Sequence, residues 1–126
     1  MGTEGHHDDH QDQLLVPLTA EAAAALGNDG EQLAALLGTV LHGMAQLRAG
    51  TASVDGLSTT LSGTTALLER VEGVRDAAVR EHAAQGGSYG ALAKATSVTR
   101  ATAQSRRDTL LKKDPSAMEQ WATGSS

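Results

Sequence analysis

The chain has no cysteine, no phenylalanine, one tryptophan, one tyrosine and two prolines in 126 residues. Without Cys there is no disulfide framework, no thiolate zinc site and no cysteine nucleophile. Isoleucine is missing as well. Sandwiches and barrels draw on Val, Ile, Tyr and Phe, so this composition argues against a β fold. No apolar run approaches the ~18 residues that read as a membrane span, and no membrane contact is expected. Residues 1–12 are acidic and His-rich rather than basic and then apolar, so no secretory signal is read there. A cytoplasmic location is expected.

Alanine is what the chain has in quantity, with 22 residues. Ala is the best helix former, so the expected class is all-α. Large side chains bury the most area, and few are present. A small Ala-based core is thin for a monomer, so a partner is expected to supply buried surface. Seven Arg against three Lys, with no Ile or Phe, is the composition a GC-rich genome produces.

The formal net charge of −5 speaks against a polyanion binder. The distribution speaks for one. Residues 1–50 carry seven acids and a single base, Arg48. Residues 88–113 carry one acid, Asp108, and six bases: Lys94, Arg100, Arg106, Arg107, Lys112 and Lys113. A basic stripe confined to one segment is the electrostatic footprint of phosphate binding. A solvated helix face is the plainer explanation, but such faces usually mix both signs.

Residues 1–13 are polar and without periodicity, and a disordered tail is expected. His6, His7 and His10 beside Asp8, Asp9 and Asp12 match no defined ligand spacing, so no metal site is assigned. Thr19 is placed to cap a helix over Ala20–Leu26, stopped by Gly27 and Asn28. Asp29 with Gln32 reads as the capping box of a second helix. Leu33, Leu36, Leu37, Val40, Leu41, Met44 and Leu47 then recur at helical spacing and form one apolar stripe. Packing within the monomer and a homodimer seam, built on Leu33, Leu36, Leu37, Val40, Leu41 and Met44, both fit this stripe. The organisation expected is a helical, dimerising segment over 14–48, a linker over 49–65 and a second helical region over 66–123. The linker assignment rests on three Gly and eight Ser or Thr in residues 49–65. Thr64 or Thr65 would cap the helix that follows, and Gly86 and Gly87 would end it. Asp114 followed by Pro115 reads as the start of a last short helix that returns Met118 and Trp121 to the core.

The most informative segment is SYGALAKATSVTRATAQSRR, residues 88–107. Ser88 is placed to cap a short helix with Tyr89, Leu92 and Ala93 inward. Thr96 and Ser97 make a turn, Val98 fills the space beneath it, and Thr99 caps a second, basic helix with Ala103 and Leu110 inward. Two short helices joined by a tight turn, the second basic, describe a helix-turn-helix.

This segment resembles the helix-turn-helix of small actinobacterial DNA-binding proteins and of resolvase-type DNA-binding domains. The shared pattern is an aromatic residue, then Leu-Ala, a turn, Val, Ser or Thr, Arg, and small residues before a further Arg. VEGVRDAAVREHAAQGG, residues 71–87, is similar to the helix that supports such motifs. The likeness covers about residues 66–112. Ser97 departs from the Gly usual at the turn, where a left-handed residue is required. Arg106 departs from an aliphatic residue, so its stem would pack while its head reaches phosphate.

The resemblance implies double-stranded DNA as the partner. Arg100 would read guanine through O6 and N7, and Gln104 would read adenine. Thr99 and Ser105 would add base or phosphate contacts. Lys94, Arg106, Arg107, Lys112 and Lys113 would neutralise phosphates, which positions without specifying. A nucleoid-associated transcriptional regulator is the expected function. A helical protein-interaction or partition accessory module, using its N-terminal helices to hold a protein partner, is the alternative. No phosphate-binding glycine loop, HExxH or GxSxG occurs, so neither an enzyme nor a cofactor is expected.

Overall fold

In the computed structural model, which describes residues 14–125, the described chain is all-helical. Its helices are α1 (Ala20–Leu26), α2 (Asn28–Ala49), α3 (Val54–Ala84), α4 (Tyr89–Thr96), α5 (Arg100–Leu111) and α6 (Ala117–Thr123). None is long and apolar enough to cross a membrane. The acidic, His-rich stretch lies outside the described residues.

α1 begins where its cap predicts, with the Thr19 hydroxyl accepting from the Ala22 N–H at 3.1 Å. The next boundary differs from expectation. Gly27, at φ 55°, serves as both the C-cap of α1 and the N-cap of α2, and no side chain caps α2. Asp29 therefore sits inside the first turn rather than at its cap. There it still complements the positive end of the helix dipole.

The larger correction concerns residues 49–65. They are not a linker from end to end: the chain turns at Gly50–Ser53, and α3 starts at Val54. Ser53 is the cap, accepting from the Gly56 N–H at 3.0 Å. Thr64 and Thr65, expected as caps, lie deep in the helix. Their hydroxyls donate back to the carbonyls of Thr60 at 2.7 Å and Leu61 at 2.9 Å. Thr59 and Thr60 do the same to Asp55 and Gly56. Hydroxyls bonded one turn back within the helix are satisfied there and do not cap a helix start at residue 65 or 66. α3 thus runs unbroken through the expected boundary at residues 65 and 66.

Close packing supplies the remaining reason. α2 and α3 run antiparallel, and small residues let the two backbones approach. A Cβ placed on Gly63 would lie 2.7 Å from the Thr39 methyl, and one on Gly43 would overlap Thr60. Gly43 and Gly63 are buried, but no apolar side chain of the α2–α3 hairpin is.

The buried apolar side chains are all at the other end of α3. Leu92 and Ala93 of α4 and Ala103 of α5 form the small core, with Val79 and Val98 packed against it. α6 lies along α3 where Gly73 makes room: a Cβ there would be 2.6 Å from the Met118 carbonyl oxygen. The cap of α6 also differs from expectation. Ser116, not Asp114, is the N-cap, because Glu119 three residues on completes a reciprocal capping box.

Candidate nucleic-acid interface

The candidate surface is α5 together with the turn that leads into it. Ser88 caps α4 by accepting from the Ala91 N–H at 3.0 Å. α4 ends at Ser97, at φ 57° and ψ 42°, the single non-glycine residue with positive φ among those described. Its N–H reaches back to the Lys94 carbonyl, and the Val98 N–H bonds the Ala93 carbonyl at 3.1 Å. The left-handed step reverses the chain within Ser97–Thr99 and drops the half-buried Val98 onto Leu92, Ala93 and Ala103.

Thr99 then starts α5. Its oxygen accepts from the Thr102 N–H at 3.1 Å, while its hydroxyl hydrogen goes to Thr102 Oγ1 at 3.0 Å. Both functions of the hydroxyl are occupied, so Thr99 fixes the helix start rather than offering a free contact.

Ala103 is 2% exposed and anchors the inner face of α5. At about 100° per residue, Gln104 and Ser105 fall well away from that line, and Arg100 sits at the first turn. All three are exposed. Gln104 and Ser105 are therefore on the open side of α5, while Arg100, three residues before Ala103, lies about 60° from the inner line at the helix start. Lys94 near the end of α4, Arg106 within α5, and Lys112 and Lys113 just past the end of α5 are exposed as well. Arg106 borders an open groove with Arg75 and Lys113, whose floor includes Val79, Leu92 and Leu110. Its position on the inner side of α5 is where the sequence comparison expected an aliphatic residue.

Arg107 requires a correction. Its guanidinium lies over the Tyr89 ring, 3.9 Å from the centroid, and Nη1 donates to the Gly87 carbonyl at 2.7 Å. This head group ties α5 to the start of α4 and does not stand free for phosphate. The Tyr89 hydroxyl, in turn, donates to Asp108 at 2.8 Å. The one acid in the basic segment is thereby held by a neutral partner within the fold. None of the exposed cations of the segment has an ion-pair partner among the described residues.

Sequence reasoning passed over a second brace. Arg80 of α3 pairs with the buried Glu119 of α6, and its Nη2 donates to the carbonyls of Leu110 at 3.0 Å and Lys113 at 2.9 Å. One guanidinium thus joins α3, the C-terminus of α5 and α6. The positive charge also suits the negative end of α5. Burial opposes ionisation of Glu119, but Arg80 and the N–H and hydroxyl of Ser116 outweigh it and hold the carboxyl below its ordinary value. The Ser116–Glu119 spacing was the available signal for the cap, while nothing in the sequence paired Glu119 with Arg80 across 39 residues.

Trp121 rests on α3, as expected of an anchor, with the Arg70 guanidinium 4.6 Å from its ring centroid. The expected dimer-seam residues divide. Leu33, Leu36, Leu37, Val40 and Leu41 are half-buried in the single chain, and Met44 is 44% exposed. No family model, no curated protein and no solved structure matches the chain.

Proposed function

We propose that the chain is a sequence-specific DNA-binding regulator of transcription, acting through a helix-turn-helix formed by α4 and α5. The observation that carries this reading is the exposed set Arg100, Gln104 and Ser105 in the first half of α5, a helix anchored inward by the buried Ala103. A helix entering the major groove contacts base edges with its N-terminal turns. Arg and Gln are side chains whose forked or paired donors and acceptors match guanine and adenine edges. Exposed Lys94 near the end of α4, Arg106 within α5, and Lys112 and Lys113 just past the end of α5 add cations of the kind that meet phosphate.

The chain's overall acidity does not oppose this reading. Seven of its fifteen acids lie in residues 1–50, and the basic segment 88–113 holds one. Association with the nucleoid follows from the same surface, and repression by promoter occupancy is its simplest consequence.

Fluorescence anisotropy with labelled duplexes drawn from a random pool tests the proposal. Binding is expected at low salt, weakening as salt rises, with a recoverable sequence preference after selection. Absence of binding at 50 mM salt, where counterion release favours complexes most, would overturn it.

A further inference from the structure

The hairpin of α2 and α3 has two unlike sides. On one side a shallow groove is lined by Ala35, Gly38, His42, Gln46 and Thr59, all small or polar. The other side follows from helix geometry. The line of close approach runs through Thr39 and Gly43 on α2 and through Thr60 and Gly63 on α3. At about 100° per residue, Leu33, Val40, Met44 and Leu47 fall on the side of α2 opposite the groove. Leu57, Leu61, Leu68 and Val71 fall on the same side of α3. Because the helices are antiparallel, the two rows lie next to each other and make one continuous apolar face.

This face is open to solvent. Leu61 is 67% exposed, Leu68 57%, Leu47 57%, Val71 51% and Met44 44%. Two antiparallel helices with no buried apolar side chain between them need a second layer, since a helix buries its stripe only against another element. Among the described residues no other segment covers it: Leu14, Leu15, Val16 and Leu18 are themselves exposed. Residues 1–13 contain no large apolar side chain except Met1. α6 and the α4–α5 pair are committed to the other half of α3.

We propose that this face is closed by the same face of a second copy, giving a four-helix dimer in which α2 and α3 of each chain contribute equally. Three observations favour a second copy over a different protein. First, most of the face is free of charge: no Asp, Glu, Lys or Arg occurs in residues 32–47 or 56–68, and Glu69, Arg70 and Glu72 border only its Val71 end. A two-fold contact brings each residue near its own symmetry mate, and uncharged rows tolerate that without like-charge repulsion. Second, the face is about 26 Å long, from the rise of α3 between residues 54 and 71, and about 20 Å across two helices. With side-chain relief, that approaches the ~800 Å² per partner of a specific interface. Third, pairs of antiparallel hairpins joined through such stripes form four-helix bundles, for which short loops like Gly50–Ser53 are suited. The surface differs from the α2 seam expected from sequence, since half of it belongs to α3.

Sedimentation equilibrium of the full chain, without DNA, tests this. The expected result is a dimer at micromolar concentration, twice the 12.9 kDa chain mass. Leu61→Asp and Leu68→Asp alter side chains that are already exposed in the single chain, so helicity should be retained while the mass falls to that of a monomer. His42→Glu, on the groove side, should leave the dimer unchanged. Because the chain has no Cys, Leu61→Cys and Leu68→Cys provide a second readout that introduces no charge. Mild oxidation should cross-link at least one of them into a dimer. A wild-type monomer at 100 µM would overturn the proposal and leave the face to another protein. A dimer unaffected by either Asp change, with neither Cys variant cross-linking, would also overturn it. These outcomes are independent of DNA binding, so loss of one reading is distinguishable from loss of the other.

Discussion

The Arg107 guanidinium stacks 3.9 Å from the centroid of the Tyr89 ring and donates to the Gly87 carbonyl. This places a basic-segment residue in the service of the fold. A half-buried cation–π pair is worth about 0.5–2 kcal/mol, and a hydrogen bond from a charged donor about 1.5–3 kcal/mol. Arg107→Ala should therefore lower stability by about 2–3 kcal/mol, read from urea unfolding. Arg107→Lys should recover only part of that loss, because an ammonium cannot stack as a planar group does. A stability equal to wild type in both variants would remove Arg107 from its bracing role.

Arg100 should behave in the opposite way. It is exposed at the first turn of α5 and has no side-chain partner among the described contacts. Arg100→Ala should leave the unfolding midpoint unchanged. On a selected DNA site it should cost about 1–3 kcal/mol and relax the preference at one base pair. Unaltered affinity for that site would separate α5 from base reading.

Lys112 and Lys113 give a third contrast. Both side chains are exposed at the end of α5, while the Lys113 carbonyl is held by Arg80. Each phosphate neutralised on duplex DNA contributes about −0.9 to the slope of log affinity against log salt. Changing both to Gln should flatten the slope by up to about two per protomer and weaken selected and unrelated duplexes alike. A slope identical to wild type would mean that this end of the helix faces away from DNA.

These contrasts separate what was legible in the sequence from what was not. Thr19, Ser88 and Thr99 were readable as caps because one hydroxyl at the right offset suffices. The turn at Ser97 was readable because the spacing of Leu92, Ala93, Val98 and Ala103 leaves little choice of chain path. Residues 54–65 were not. Local composition reads as a linker, while Gly43 and Gly63 admit Thr60 and Thr39 across the hairpin and stabilise a helix that propensity alone disfavours. Arg107 was misplaced for a related reason. A basic residue in a basic stripe gives no local sign that its head group turns inward to Tyr89. The Arg80–Glu119 brace joins residues far apart in sequence, and charge counting along the chain does not pair them.

Glycines along the long helices should respond by neighbourhood. A Cβ on Gly73 would meet the Met118 backbone, which has no rotamer to yield, whereas one on Gly38 would meet nothing within 4 Å. Overpacking costs about 1–3 kcal/mol, and Ala exceeds Gly in helix propensity by about 1 kcal/mol. Gly38→Ala should raise the melting temperature. Gly73→Ala should lower it and release α6, visible as faster amide exchange in Ala117–Thr123. Equal gains at both sites would contradict the close α3–α6 contact.

The pH dependence of stability should report the brace that joins α3, α5 and α6. Glu119 is 3% exposed, and its carboxyl is held below its ordinary value by Arg80 and Ser116 against the effect of burial. A depressed carboxyl stabilises the folded state above the unfolded pKa, about 4.3 for Glu, and that stabilisation disappears as pH falls through the lower folded value. At pH 7, Glu119→Gln should cost about 2–3 kcal/mol, the scale of a charge-assisted hydrogen bond. As pH falls below about 4.3 the unfolded carboxyl protonates first and the advantage begins to shrink, and it is gone once pH passes the lower folded value, so the two proteins should converge at the acid end. Thermal unfolding of both at pH 7, 5, 4 and 3 measures the gap directly. A gap that stays constant down to pH 3 would show that the carboxylate charge does not hold α6 and the end of α5 to α3. In that case Arg80 would act through the Leu110 and Lys113 carbonyls alone.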